Sequence, residues 1–260
     1  MLKTRVISSC VGVVILLLVL LCGETVLRIA AGLVSLLMIL ELFRAIKLRS
    51  LIIIPAGLFA ALLSANVFPD TLLFPAFSVY LLVMLSIMLF SFKKLHMHDI
   101  AAATLFSLFI GLFMGCLTRI RMAEGGEYWI WLVFLGAWGS DVFAYFTGCQ
   151  FGTKKLLPAV SPKKTVEGAI GGALGASICF LLFGLIIGGL GNVHPVSLLF
   201  AGVLSSLCGQ VGDLTASVIK RQYGIKDYGK IMPGHGGAMD RFDSILFVAP
   251  IVYICMMLMQ

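Results

Sequence analysis

The sequence predicts an all-α, polytopic integral membrane protein. Three observations predict it: 60% of the 260 residues are hydrophobic, only 12% are charged, and apolar stretches of spanning length recur along the whole chain. A soluble domain carries about 45–50% apolar and about 25% charged residues. Half that charge cannot cover a water-facing surface of this size, which excludes a soluble enzyme, a secreted disulfide scaffold and a disordered chain.

A membrane-spanning helix needs about 20 predominantly apolar residues. The first such stretch, 6–22, follows Lys3 and Arg5 and superficially has the look of a signal peptide. No A-x-A-like cleavage site follows it, so it is expected to remain as an uncleaved span. The second, 29–43, is the least regular, because Glu41 and Arg44 crowd its end. The third and fourth, 51–68 and 71–92, meet at a tight turn, Pro69-Asp70. The fifth to ninth cover 100–118, 128–147, 166–190, 196–219 and 244–259.

Charge sorting supports about nine spans. With the N-terminus in the cytoplasm, sixteen of the nineteen Lys and Arg residues fall on the cytoplasmic side, leaving Arg28, Arg119 and Arg121 opposite. This bias is that of a membrane protein with its N-terminus inside and, for an odd number of spans, its C-terminus on the opposite side. The formal charge of +7 therefore reflects topology first, and no nucleic-acid partner is expected. The seven cysteines lie mostly within apolar runs, and none forms a CxxC pair. Their odd number excludes a complete internal disulfide framework, and they read as small apolar fillers.

The chain divides by chemistry rather than by linker. Residues 1–127 form about five plain spans, whereas 128–260 carry two longer cytoplasmic loops, 148–165 and 220–243, with nine of the basic residues. Three acidic residues interrupt good spans or their ends in this half: Asp141, Glu167 and Asp213. An Asp at a helix centre costs about 2.5–3.5 kcal/mol to insert, so it normally faces water, a partner or an ion. Asp141 could instead be paired with a Lys or be hydrated near the interface. Asp213 belongs to a polar stripe with Gly209, Gln210, Gly212, Thr215 and Ser217.

The densest feature is SVIKRQYGIKDYGKIMPGHGGAMDRFD, residues 217–243. Lys220, Arg221, Lys226, Lys230 and Arg241 stand there beside Asp227, Asp240 and Asp243, among Gly224, Gly229, Gly234, Gly236 and Gly237. Glycines let backbone amides approach an anion, and cations beside carboxylates suit a polyphosphate that shares a divalent metal. A second basic segment, KKLLPAVSPKKTVEG, leads into the seventh span. Thr165 is placed to cap that helix and Glu167 lies in its first turn, so Lys163, Lys164 and Thr165 form a natural phosphate site. These lysines could equally meet anionic headgroups. His96 and His98, beside Asp99, read as interfacial histidines rather than a metal pair. Gly168, Gly171, Gly172 and Gly175 fall on helical spacings that favour close helix packing. There is no Walker P-loop, G-x-S-x-G elbow or HExxH motif.

These residues resemble the phosphatidate cytidylyltransferase family, the CDP-diacylglycerol synthases. Ser217, Lys220, Arg221, Lys226, Asp227, Gly229, Pro233, Gly234, His235, Gly236, Gly237, Asp240, Arg241 and Asp243 match its signature. SPKKTVEG, GQVGDL and DVFAYFTG also look like family motifs, so the resemblance covers about 138–243. Met232 and Ala238 occupy two slots where larger or branched aliphatics are expected, which bears on packing rather than chemistry.

The resemblance implies CTP and phosphatidic acid as substrates, with CDP-diacylglycerol and pyrophosphate as products. It implies Mg²⁺, with K⁺ as a conceivable neighbour, held by Asp213 and Asp240; Asp243 and Asp141 are weaker ligands to weigh. Lys220, Arg221, Lys226 and Arg241 are expected to neutralise the triphosphate. Lys163, Lys164 and Thr165 are expected to hold a phosphate, with Ser217, Asp227, Gly234, Gly236 and Gly237 lining the substrate and His235 either binding phosphate or orienting the loop. The same resemblance places the chain among membrane lipids in a bacterial inner membrane, active-site loops toward the cytoplasm, with a homodimer to be considered. Two rivals remain at this level: a CTP-dependent polyprenol- or phytol-type lipid kinase, and an ion-coupled transporter using Asp141 and Asp213.

Overall fold

Each apolar stretch carries a helix in the computed structural model, which describes residues 2–48, 50–187, 190, 193–232, 234 and 236–259. Helices are what lipid permits, because every backbone amide and carbonyl must find its partner within the segment. In chain order they are α1 (Leu2–Leu21), α2 (Glu24–Ala45), α3 (Ser50–Ser64), α4 (Asp70–Phe90) and α5 (Met97–Met122). There follow α6 (Gly126–Phe134), a π-helical turn (Leu135–Gly139), α7 (Ser140–Phe151), α8 (Val166–Ile187), α9 (Pro195–Gln222) and α10 (Met239–Met259). Between α7 and α8 lies one small antiparallel hairpin, β1 (Lys155–Leu157) and β2 (Ser161–Thr165). Seven helical segments among the described residues are long and apolar enough to cross a membrane, Gly126–Phe151 counting as one of them. The apolar runs Ser8–Leu21 and Leu51–Ser64 are shorter. Apolar side chains such as Phe90, Ile186 and Leu258 are 86%, 77% and 81% exposed, a surface suited to acyl chains rather than water. The protein is an all-α membrane protein.

The chain forms two compact units. One comprises Met1–Thr118 with Ile225–Asp240, the other Arg119–Gly224 with Arg241–Gln260.

In the first unit, Met38, Ile39, Leu42 and Phe43 of α2 are fully buried, as are Ile52, Ala56 and Ala60 of α3. Close packing of α5 on α3 depends on Gly111: a Cβ there would lie 2.9 Å from Leu63 Cβ and 3.0 Å from Ala60 Cα. Some polar ties join its helices. Thr118 donates to the Ser64 carbonyl at 3.0 Å, and the Tyr80 and Ser107 hydroxyls share a hydrogen bond of 2.8 Å. Arg28 closes the C-terminal end of α3 by donating to the carbonyls of Ala65 (2.8 Å) and Asn66 (3.0 Å).

In the second unit, the glycines singled out on α8 are where α7 comes close. A Cβ at Gly171 would lie 2.1 Å from Thr147 Oγ1, and one at Gly175 would lie 2.1 Å from the Phe143 ring. A Cβ at Gly202 of α9 would meet the backbone of Ala176 and Ser177 in the same way, and one at Gly212 would lie 2.5 Å from the Asp243 carbonyl. Small residues therefore set the spacing of α7, α8, α9 and α10.

Candidate active site

Both loops are shorter than the charge pattern implies. Residues 148–151 complete α7, and the stretch after them folds into the β1–β2 hairpin. Likewise α9 runs to Gln222 and α10 begins at Met239, so Asp240, Arg241 and Asp243 sit on the first turns of a helix rather than in a loop.

The hairpin delivers Lys155, Lys163 and Lys164. Lys155 pairs with Thr165 and Leu157 with Ser161. Thr165 then caps α8, its Oγ1 accepting the Gly168 amide at 3.1 Å, which is the role its position suggests. Glu167 fastens the hairpin to the helix: it accepts the Thr153 hydroxyl and, at 3.2 Å, the Lys154 amide. Gly148 and Gly152 leave the room that Thr165 fills, since a Cβ at Gly152 would lie 2.8 Å from its Oγ1.

Beneath the hairpin is a cavity of about 420 Å³, lined by Asp141, Tyr145, Lys155, Lys163, Lys164 and Gln210 over a floor that includes Ala144, Gly148, Thr165 and Gly168. Its size lies in the range of small-molecule sites, about 300–1,000 Å³. Asp141 enters this wall directly after the π-helical turn. Gly136 of that turn is closely packed: a Cβ there would lie 3.0 Å from Val248, 3.1 Å from Ser205 and 3.4 Å from Phe180. π-helical turns recur at functional sites because the extra residue re-aims the side chains that follow. Gln210 is fixed by donating to the Ala169 carbonyl (3.1 Å) and Ser206 Oγ (3.0 Å), and Ser206 in turn shares a 2.6 Å hydrogen bond with Ser140.

Asp213, the costly acid of α9, forms an ion pair with Lys164. Its charge also acts on Asp141 and on Asp243. Asp243 is 8% exposed, and its Oδ1 accepts the Ser244 amide at 2.8 Å. Lys220 acts on Asp243, and Arg241 and Lys164 act on Asp141. Asp141, Asp213 and Asp243 carry the hard oxygen donors that Mg²⁺ prefers, but among the described residues their carboxylates do not all lie within 4.8 Å of one another. The donor chemistry suits a divalent ion, which would have to draw these side chains together. Arg221 reaches the hairpin, donating from Nε to the Val160 carbonyl at 3.4 Å. Ser217 lies half-buried on α9.

The remaining signature residues gather within the first unit. Asp240 is 7% exposed, and its Oδ2 accepts the amides of Tyr228 (2.8 Å) and Gly237 (3.0 Å). Gly234 and Gly236 adopt φ of +80° and +90°, a backbone that L side chains resist, and the Gly236 carbonyl accepts the Met232 amide at 3.0 Å. Lys226, Asp227 and Lys230 are exposed. His235 lies outside the described residues, as does Pro233.

Sequence reasoning missed four residues here. Lys155 is legible only as a topology charge, and Tyr145 only as part of an apolar run. Gln210 belongs to the polar stripe without a role, and Glu41, which accepts the Met239 amide, is legible only as an interruption of the second span. His96, His98 and Asp99 place their ligand atoms within 4.8 Å of one another. Capping accounts for Asp99 being there, since it accepts the His96 amide at 2.9 Å, and both imidazoles are exposed.

A family model described as the cytidylyltransferase family matches residues 3–259. Curated relatives include phosphatidate cytidylyltransferases of Staphylococcus haemolyticus, 32% identical over 99% of this chain and 100% of its own length, and of Bacillus subtilis, 32% identical over 98% of each. The Thermotoga maritima phosphatidate cytidylyltransferase is 44% identical over 50% of this chain and 49% of its own. The full-length agreement has one reading: the chain belongs to the cytidylyltransferase family.

Proposed function

We propose that the chain is a phosphatidate cytidylyltransferase, converting CTP and phosphatidic acid into CDP-diacylglycerol and pyrophosphate for phospholipid synthesis. Full-length similarity to curated enzymes of that activity supports the reaction. The observation that carries the chemistry is the Lys164–Asp213 pair at a lysine-lined cavity in a membrane protein.

A phosphate oxygen of phosphatidate attacks the α-phosphorus of CTP in line. The new P–O bond forms as the bond to the bridging oxygen of the β-phosphate breaks, and pyrophosphate leaves with that electron pair. The nucleophile is already an anion, so no protein base is required, and catalysis consists of positioning and charge neutralisation. Asp213 and Asp240 would hold Mg²⁺, with Asp243 as a further carboxylate and K⁺ as a neighbouring ion; when bound, Mg²⁺ supplies Lewis-acid neutralisation of phosphate charge. Lys163, Lys164 and Thr165 bind a substrate phosphate, while Lys220, Arg221, Lys226 and Arg241 neutralise the triphosphate and the departing pyrophosphate. Asp141 lines the substrate cavity.

In this reading nine spans place the N-terminus in the cytoplasm of a bacterium, the C-terminus beyond its inner membrane, and the basic segments at the CTP-containing side. Residues 128–260 hold most of the chemistry and 1–127 support it, and two copies associate as a homodimer. Purified protein given CTP and phosphatidate should release pyrophosphate only with both substrates and Mg²⁺ present. Release without phosphatidate would overturn the assignment.

A further inference from the structure

An acid in an apolar helix needs a reason. Glu41 stands near the end of α2, is 4% exposed, and has no basic partner within salt-bridge distance among the described residues. Its Oε2 accepts the Met239 amide at 2.9 Å, the first amide of α10, which no residue of that helix can satisfy. Its Oε1 is buried without a hydrogen-bond partner.

Two signature glycines pack directly on this carboxylate. A Cβ at Gly229 would lie 2.0 Å from Glu41 Oε1, and one at Gly237 would lie 2.2 Å from Oε2. Neither glycine has a positive φ, unlike Gly234 and Gly236, so backbone conformation does not demand glycine at either place. At both, a Cβ would displace the Glu41 carboxylate from the place it occupies. The same short segment holds Asp240: the amide of Gly237 itself, and that of Tyr228 beside Gly229, are the two donors to Asp240 Oδ2. One face of the segment grips Glu41 while its amides grip Asp240.

We infer that Glu41 is a positioning residue for Asp240, a carboxylate of α2 that fixes the glycine-bearing segment from which Asp240 is held. The inference rests on the proposed role of Asp240 as a metal ligand. Removing the Glu41 carboxylate frees the segment and loosens Asp240, so metal binding weakens before phosphatidate binding does.

The test uses purified full-length protein in detergent, with Mn²⁺ as a paramagnetic stand-in for Mg²⁺ and binding read by EPR, so that the readout is independent of turnover. Glu41→Ala should weaken Mn²⁺ binding at least five-fold and lower kcat at least ten-fold, leaving the KM for phosphatidate within two-fold of wild type. Glu41→Gln keeps the shape and an acceptor for the Met239 amide, and should stay within three-fold of wild type in both readouts. Wild-type Mn²⁺ affinity in Glu41→Ala, or Glu41→Gln as impaired as Glu41→Ala, would overturn the inference. If Glu41→Ala does not accumulate as folded protein, Gly237→Ala carries the same test, since its methyl intrudes on Oε2; unchanged Mn²⁺ affinity there would also overturn it. A wild-type protein that binds Mn²⁺ but makes no CDP-diacylglycerol separates failure of the functional reading from failure of this one.

Discussion

Replacing Asp213 with asparagine removes one charge and almost no volume. Asp213 and Lys164 are each 27% exposed, so their ion pair lies between the surface and interior regimes. Exposed pairs are worth about 0–1 kcal/mol, and breaking a buried pair costs about 3–5 kcal/mol, which brackets the stability loss at about 2 kcal/mol. The protein should still fold. The loss in catalysis is larger. Two unit charges about 4 Å apart at an effective dielectric near 20 interact by about 4 kcal/mol, and that much transition-state stabilisation is about 1,000-fold in rate. Asp213→Asn should therefore retain its elution profile on size exclusion while pyrophosphate release falls about 1,000-fold. The double variant Asp213→Asn with Lys164→Gln decides what the pair is for. If it merely ties the hairpin to α9, removing both charges leaves nothing unpaired and activity returns. If the two groups act on metal and phosphate separately, the double variant is no better than Asp213→Asn alone. Recovery to within ten-fold of wild type would refute the site assignment.

Three further outcomes follow from the same geometry. Gly175→Ala places a methyl 2.1 Å from the Phe143 ring, and overpacking of this kind costs about 1–3 kcal/mol, so the melting temperature in detergent should fall; an unchanged or raised value would mean that α7 and α8 are not so close. Lys163→Gln removes one charge from the cavity lining and should raise the KM for CTP about five-fold, the equivalent of about 1 kcal/mol, with kcat nearly unchanged; an unchanged KM would remove Lys163 from the nucleotide site. Cys149 is exposed and lines the same cavity, so a maleimide should alkylate it and block turnover, and CTP should slow the alkylation, as followed by peptide mass spectrometry. Equal rates with and without CTP would place the nucleotide elsewhere.

The apolar runs foretold where helices lie, because period and length suffice when lipid is the solvent. The same runs are silent about which helix meets which, since every face is apolar. The π-helical turn shows this: its Gly136 packs against Val248, Ser205 and Phe180, residues far along the chain. The hairpin escaped notice for another reason. Its strands are three and five residues long, and Pro158 and Pro162 break any alternation that would mark them. Thr165 was legible as a cap because capping is local chemistry. The glycines of PGHGG suggested an uninterrupted loop through 243, yet the helix resumes at Met239, as soon as the glycines end. Glu41 illustrates the remaining gap. Its neighbours Gly229 and Gly237 lie nearly two hundred residues away, and only the folded chain shows that both pack on one carboxylate.

The most direct measurement follows the fate of the label in CTP. Purified full-length protein is incubated with phosphatidate, Mg²⁺ and CTP labelled either at the α- or at the γ-phosphate, and the lipid fraction is counted. The expected result is α-label in the lipid, with γ-label recovered entirely as pyrophosphate. Lipid carrying γ-label, with CDP released, would instead reveal a lipid kinase and contradict cytidylyl transfer.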